Sequence, residues 1–385
     1  MPMGTSPFTI IGICILLVWL FSGDFIKRRE QYFHGDWLLP ILAVVALIWL
    51  GLIWSADPFG LGIKYAQKTH YWLYAFALSS VFSNGNSTDK TDKLIKAFLL
   101  GLLCNATVGF MQFTHIVPRL SKWGVTGYTG FNSGYNTLSI LLILGMLTAS
   151  FYFKSSKTRN QKIMYAGLII FYFLHLILLE GRGGYLTLVL LSPVILFNMF
   201  KRNKLIYISL AYLLVISIMV SSPISRDRIA YTNKYLSQYV ENYLKPHKDM
   251  GWGEKYYEHF DRIYMWRWAV NLLIENPLIG VGTGGYKEAM IAAGAEKPVS
   301  HPHNNILYVA VSWGGVGLFI FGWLFWTILK NGWQNRDSRI GFFVMASSLV
   351  ILVGGSTETH ILDSGGAFLL AVTTGFLSAI SKSPS

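Results

Sequence analysis

Apolar runs follow one another from end to end of the chain, separated by short polar breaks. They lie at 7–22, 38–54, 65–82, 94–113, 136–153, 163–180, 185–200, 204–222, 303–329, 340–355 and 366–381. Each approaches the roughly 17–25 residues that an α-helix needs to cross a bilayer. None alternates apolar and polar residues over about ten positions, as the strands of a membrane barrel would. The pattern predicts eleven membrane helices and an all-α polytopic membrane protein. The first run has no basic segment before it and no small-residue cleavage site after it, so it reads as a span, not a signal peptide.

The breaks alternate in charge. Lys27-Arg28-Arg29, then Lys90/Lys93/Lys96, Lys154/Lys157/Arg159/Lys162, Lys201/Arg202/Lys204 and Lys330/Arg336/Arg339 occupy every second one. Lys and Arg near span ends are retained on the cytoplasmic side. The N-terminus and the segments 55–64, 114–135, 181–184, 223–302 and 356–366 then fall on the outer side. Composition agrees, with 53% hydrophobic and 13% charged residues, against about a quarter charged in soluble proteins. The formal net charge of +13 is largely spent on the inner breaks, so nucleic acid is not needed as a partner. Cys14 and Cys104 both fall inside spans, where they are expected as core residues and give no disulfide framework.

One break is far longer than the rest. It divides the chain into N-terminal membrane helices (1–222), an outer helical loop (223–302) and C-terminal membrane helices (303–385). Apolar and aromatic residues at three-to-four spacing predict helices over 235–244 and 257–275. The second stops at Asn276-Pro277, because the residue before proline disfavours helix. A short helix is expected over 286–293. Between these lies Gly280-Val281-Gly282-Thr283-Gly284-Gly285, which follows a helix rather than a strand and therefore reads as a turn, not as a dinucleotide loop. Aromatics such as Tyr264 suit anchoring at a membrane interface. Positive charge on this outer loop, Arg262 and Arg267 included, is unexplained by topology.

Candidate chemistry gathers at the outer face. Arg182, in E-G-R-G-G, sits between glycines that admit a close neighbour, and charges at membrane depth mark function. Arg262 and Arg267 are five residues apart and so occupy neighbouring faces of a 3.6-residue helix. A guanidinium fork suits a diphosphate. His303 opens the ninth span, with Asn304 and Asn305 beside it and His301 two residues before. It fits a general base at neutral pH, or else a cap or packing residue of its span. His-x-His without acidic or cysteine partners close by in sequence is thin for metal, and no metal site is expected. The final outer loop, S-T-E-T-H-I-L-D, brings Glu358, His360 and Asp363 as further wall residues by position. A transporter would place ionisable residues in mid-span along a path. Here they lie at the outer face.

The glycine-flanked Arg182, the string D-R-I-Y-M-W-R-W-A-V-N-L-L-I-E-N-P-L-I-G-V-G-T-G-G-Y at 261–286 and H-P-H-N-N at 301–305 together resemble the O-antigen ligase family. The resemblance is dense over about 260–320 and supported by topology from about 160 onward. It implies an inverting glycosyltransferase of the membrane-embedded GT-C type, without metal or other cofactor, in the bacterial inner membrane with its site on the periplasmic side. The implied donor is a glycan on undecaprenyl diphosphate, and the implied acceptor is the lipid A-core, both met among membrane lipids. His303 would activate the acceptor hydroxyl, while Arg262 and Arg182, with Arg267, would hold the diphosphate. His301, Asn304, Tyr264, Glu358 and His360 would support them. O-antigen polymerases and protein O-oligosaccharyltransferases share the signature, and the lack of a large C-terminal outer domain points to the ligase branch. The family pattern has twelve spans, so the eleven read here imply a missing or shortened first helix.

Overall fold

The computed structural model of the chain describes residues 5–23, 35–82, 87–118, 128–131, 134–179, 181–200, 261–295 and 297–380, with isolated positions between 206 and 217. Among the described residues every regular element is helical. The helices are α1 (Thr5–Phe21), α2 (Leu38–Leu50), α3 (Ile63–Gln67), α4 (Leu73–Phe82), α5 (Ser87–Phe113), α6 (Tyr135–Ser155), α7 (Arg159–Ile177), α8 (Arg182–Met199), α9 (Asp261–Glu275), α10 (Tyr286–Ala292), α11 (Asn305–Gln334), α12 (Arg339–Gly354), α13 (Ser364–Gly375) and α14 (Leu377–Ile380). Four stretches, 89–113, 135–155, 159–177 and 305–334, are long and apolar enough to cross a membrane, and shorter apolar helices accompany them. The protein is an all-α polytopic membrane protein. The expected span at 204–222, the helix at 235–244 and most of the outer loop before Asp261 lie outside the described residues.

α6 is the centre of the fold. Its sequence is apolar around its whole circumference, the mark of a helix buried on every side, and residues 137–152 are all buried. α5, α7, α8 and α12 pack around it. At one end Asp92 ties three of these helices together. Its carboxylate pairs with Lys96 at 2.6 Å and Arg339 at 2.8 Å, and accepts the Tyr152 hydroxyl at 2.5 Å. Three of the breaks assigned to one side by their basic residues therefore do share one end. Cys14 and Cys104, expected in the core, are both exposed instead, because each lies on the outward face of its helix.

The run 65–82 is not a single helix. A π-helical turn at Pro58–Gly62 leads into α3, a 3-10 turn at Lys68–Trp72 and then α4. The first half carries Gln67, Lys68, Thr69 and His70, which an unbroken span would push into hydrocarbon at several kcal/mol each. Broken backbone keeps them near the polar end.

α11 is broken as well, at Gly314 (φ 60, ψ −152). A break inside a membrane frees backbone groups that must be paired by protein. The asparagine-proline-glycine segment after α9 does this. Val281 N–H donates to Val311 O and Gly282 N–H to Ser312 O, while Gly315 and Val316 N–H groups donate to Pro277 O and Leu278 O. Thr283 N–H reaches Gly51 O at the end of α2. The glycine string is thus neither a nucleotide loop nor a free turn; it mends the broken helix. Gly280, Gly282 and Gly284 all have positive φ. A Cβ on Gly282 (φ +82) would sit 2.5 Å from Ser55 Cα. Gly282→Ala is expected to lose at least the roughly 1–3 kcal/mol of a strained backbone position, read as a lower Tm in detergent. Gly322→Ala, where nothing lies within 4 Å of the added carbon, is the control and leaves Tm unchanged or slightly raised.

Candidate active site

The end opposite Asp92 gathers segments from across the chain: 134–136, 181–184, 300–305 and 356–363. Their joint is the H-N-N triplet. Asn304 caps α11 by accepting from Leu307 N–H at 3.0 Å, and its amide donates to Ser356 O at 2.9 Å. Its own N–H donates to Thr359 Oγ1 at 3.1 Å. Asn305 N–H donates to Gly355 O at 2.7 Å, and its side chain bridges Ile351 O and Ile361 N. Two asparagines thus stitch the start of α11 to the loop after α12. The cap is Asn304, so His303 is not the cap of its span.

With the asparagines committed to backbone, His303 is left to face the loop. Its φ is +50, a left-handed conformation that few non-glycine residues adopt and that clusters at functional positions. The turn aims the imidazole so that Nδ1 lies 2.6 Å from Glu358 Oε1. Glu358 is engaged on both oxygens: Oε1 also accepts from Thr359 N–H at 3.0 Å, and Oε2 accepts from the Asn136 amide. Burial pushes the carboxyl up, but the His303 hydrogen bond and charge, with the Thr359 amide, outweigh it and hold the group down at about 2. A fixed anion at Nδ1 selects the tautomer that donates from Nδ1 and leaves Nε2 as a proton acceptor. The side chain is 34% exposed, so that nitrogen is within reach of a substrate.

His301 lies against His303, ring centroids 4.4 Å apart. Its Nδ1 meets Ser300 Oγ at 2.8 Å. Burial, and then the neighbouring His303, push its pKa down to about 4, so it is neutral at physiological pH. His360 is 2% exposed and burial lowers it to about 4. It stands behind the carboxylate in the core and, unlike the wall residue that its loop position suggests, does not line the cavity. Asp363 caps α13 through Gly365 N–H at 3.2 Å.

His301, His303 and Glu358 offer three ligand atoms within 4.8 Å of one another. The acidic partner missing close by in sequence is therefore present in space. Zinc bonds of about 2.0–2.1 Å at tetrahedral angles hold ligand atoms about 3.3 Å apart. The His303–Glu358 separation of 2.6 Å is that of a hydrogen bond, and both carboxylate oxygens are already occupied. The cluster is arranged as a hydrogen-bonded pair.

The arginines divide. On α9, Trp266 Nε1 donates to Pro302 O at 2.9 Å, which sets that face of α9 against the residue before His303. Arg262, one turn earlier, shares the face. It is half-buried and makes no hydrogen bond or ion pair with another described residue. Arg267 is rotated away and already engaged. Tyr264 packs in a small separate cluster with Trp268, and its hydroxyl accepts from Lys297 N–H at 3.3 Å. It shapes the loop and stands apart from the histidines. Arg182 begins α8. A Cβ on Gly183 would lie 2.3 Å from Thr357 Oγ1, and one on Gly181 would meet Tyr135 and Asn136. The backbone there is pressed against the Glu358 loop; the Arg182 side chain lies outside the described residues. Asn136 was missed in the sequence, where it is an ordinary polar residue at a span's start.

Residues 167–322 match the family model described as O-antigen ligase. A protein of Rickettsia conorii (strain ATCC VR-613 / Malish 7), provisionally named a polysaccharide ligase, is 33% identical over 89 residues. The match covers 20% of this chain and 22% of that protein, so the chain spans about a fifth of the curated relative it matches.

Proposed function

We propose, starting from residues 167–322 as a domain of the O-antigen ligase family, that the chain joins a glycan to a lipid-anchored acceptor in a membrane by glycosyl transfer. The donor is a glycan on undecaprenyl diphosphate and the acceptor the lipid A-core. The site faces the periplasm from the bacterial inner membrane.

The observation that carries this reading is the His303–Glu358 pair at 2.6 Å, with Arg262, which has no partner among the described residues, on the face of α9 that meets Pro302. His303 Nε2 takes the proton of the acceptor hydroxyl. The hydroxyl oxygen attacks the anomeric carbon of the donor sugar from the side opposite the diphosphate. The bond from that carbon to the diphosphate oxygen breaks, and the lipid diphosphate leaves with the electron pair. Arg262 and Arg182 neutralise the charge that builds there, which does the work of a general acid. Glu358 keeps the imidazole oriented and stabilises its protonated form, as a carboxylate does behind other catalytic histidines. With both its oxygens engaged it is not a nucleophile, so the product has inverted configuration.

The test is transfer by the purified full chain, in EDTA, with an undecaprenyl-diphosphate-linked glycan and lipid A-core. We expect a joined product at the rate seen without chelator. No product with this pair overturns the acceptor or donor assignment. Activity lost in EDTA and restored by zinc, magnesium or manganese reassigns the cluster of His301, His303 and Glu358 as a metal site.

A further inference from the structure

The site is completed by a segment outside the family-matching region. A cleft of about 500 Å³, counted out to its open mouth, lies between α2, α11 and α13. Val44, Ile48, Trp72, Trp313, Phe321 and Leu370 make its walls apolar and aromatic. Among the described residues the single charge on its lining is Lys68, held by the 3-10 turn that interrupts the expected span.

Lys68 is placed to serve both the cleft and the histidines. Its ammonium donates to Leu362 O, lies 5.5 Å from the centre of the Tyr65 ring, and acts electrostatically on His301 and Asp363. Tyr65 in turn lies near Ser300, next to His301, and packs edge-on against Tyr308 at 6.1 Å. One of three ammonium donors is used by Leu362. Among the described residues no carboxylate lies within 4.0 Å of Lys68 to form an ion pair. A partly buried ammonium without a close counter-ion is costly, and an anion from outside the protein removes that cost. An apolar cleft with one cation at its rim matches a hydrocarbon chain that ends in a phosphate.

We propose that Lys68 is a further binding residue of the site. Its ammonium takes the chain-side phosphate of a polyprenyl diphosphate, and the first isoprenoid units lie in the cleft against Trp313, Phe321 and Leu370. This rests on the lipid-diphosphate donor proposed above and adds to it a residue and a place for the chain.

The test is calorimetric binding of farnesyl diphosphate and of inorganic diphosphate to the full chain in detergent, with Tm recorded for each variant. Lys68→Met is expected to weaken farnesyl diphosphate about 10–100-fold, the loss that follows removal of a charged hydrogen bond, with Tm unchanged. Lys68→Arg retains most of the affinity. Leu370→Trp, which fills the cleft, weakens farnesyl diphosphate but not inorganic diphosphate. Unchanged binding in Lys68→Met, a loss that tracks a fallen Tm and is absent from the arginine variant's folded fraction, or equal effects of Leu370→Trp on both probes overturns the proposal. If wild type binds farnesyl diphosphate and Arg262→Ala weakens it while Lys68→Met does not, the donor reading stands and only the role of Lys68 falls. If wild type binds neither probe, both fall.

Discussion

His303→Ala lowers the rate of glycan transfer about 10²–10⁴-fold, the range that a positioned general base contributes, and leaves donor affinity close to wild type. The imidazole acts at the acceptor hydroxyl and not on the diphosphate, so the loss appears in kcat and not in KM. Fold loss is the rival explanation, and it is separable. The start of α11 is capped by Asn304, not His303, so the helix does not depend on the imidazole. Position 303 has φ +50, which alanine adopts at a cost of about 1–2 kcal/mol and asparagine tolerates far better. His303→Asn is therefore the cleaner variant. It is expected to keep the wild-type Tm and lose transfer as fully as alanine does. Transfer retained by the asparagine variant would remove His303 from the chemistry.

Glu358→Gln is the second large loss, about 10²–10⁴-fold in kcat, the scale seen when a catalytic histidine loses its orienting carboxylate. Glutamine keeps the shape but presents one acceptor oxygen where the carboxylate presents two. It has to satisfy Asn136, Thr359 and His303 with that oxygen and an amide that only donates. The wrong tautomer of His303, or a turned ring, follows. The charge also matters to stability. Glu358 titrates near 4.5 when unfolded and at about 2 when folded, so its contribution is present above about 4.5 and is lost as pH falls toward 2. Wild type should be more stable than Glu358→Gln at neutral pH, and the two melting curves should converge as pH drops through that window. A difference in Tm that ignores pH would mean that the carboxylate charge is not what holds the loop.

The helices were legible because an apolar run is a local signal, and so was His303, which stands at the end of one. Partners were not. Asn136 meets Glu358 across 222 residues, Lys68 meets Leu362 across 294, and His303 meets Glu358 across 55, and no pattern along the chain encodes such pairs. The metal-site expectation failed to weigh Glu358 for that reason. Distance in sequence hid Glu358, the acid that lies beside the two histidines. His360 shows the converse fault: a polar residue in an outer loop looks like a wall residue, whereas its ring is turned into the core. The glycines at 280–285 could be recognised as special, but their task depends on the break in α11 at Gly314, which an uninterrupted apolar run conceals. Run 65–82 misled similarly, since its mean hydropathy masked a polar first half that the fold spends on the site.

The paired role of His303 and Glu358 is tested most directly by a double-mutant cycle on single-turnover transfer, with wild type, His303→Asn, Glu358→Gln and the double variant at saturating donor. If the carboxylate works only through the imidazole, its loss costs nothing once the imidazole is gone, as for other catalytic groups that act as a unit. The double variant is then no slower than His303→Asn alone. Penalties that multiply, with the double variant slower by the product of the two single losses, would contradict the pair and leave two independent residues in its place.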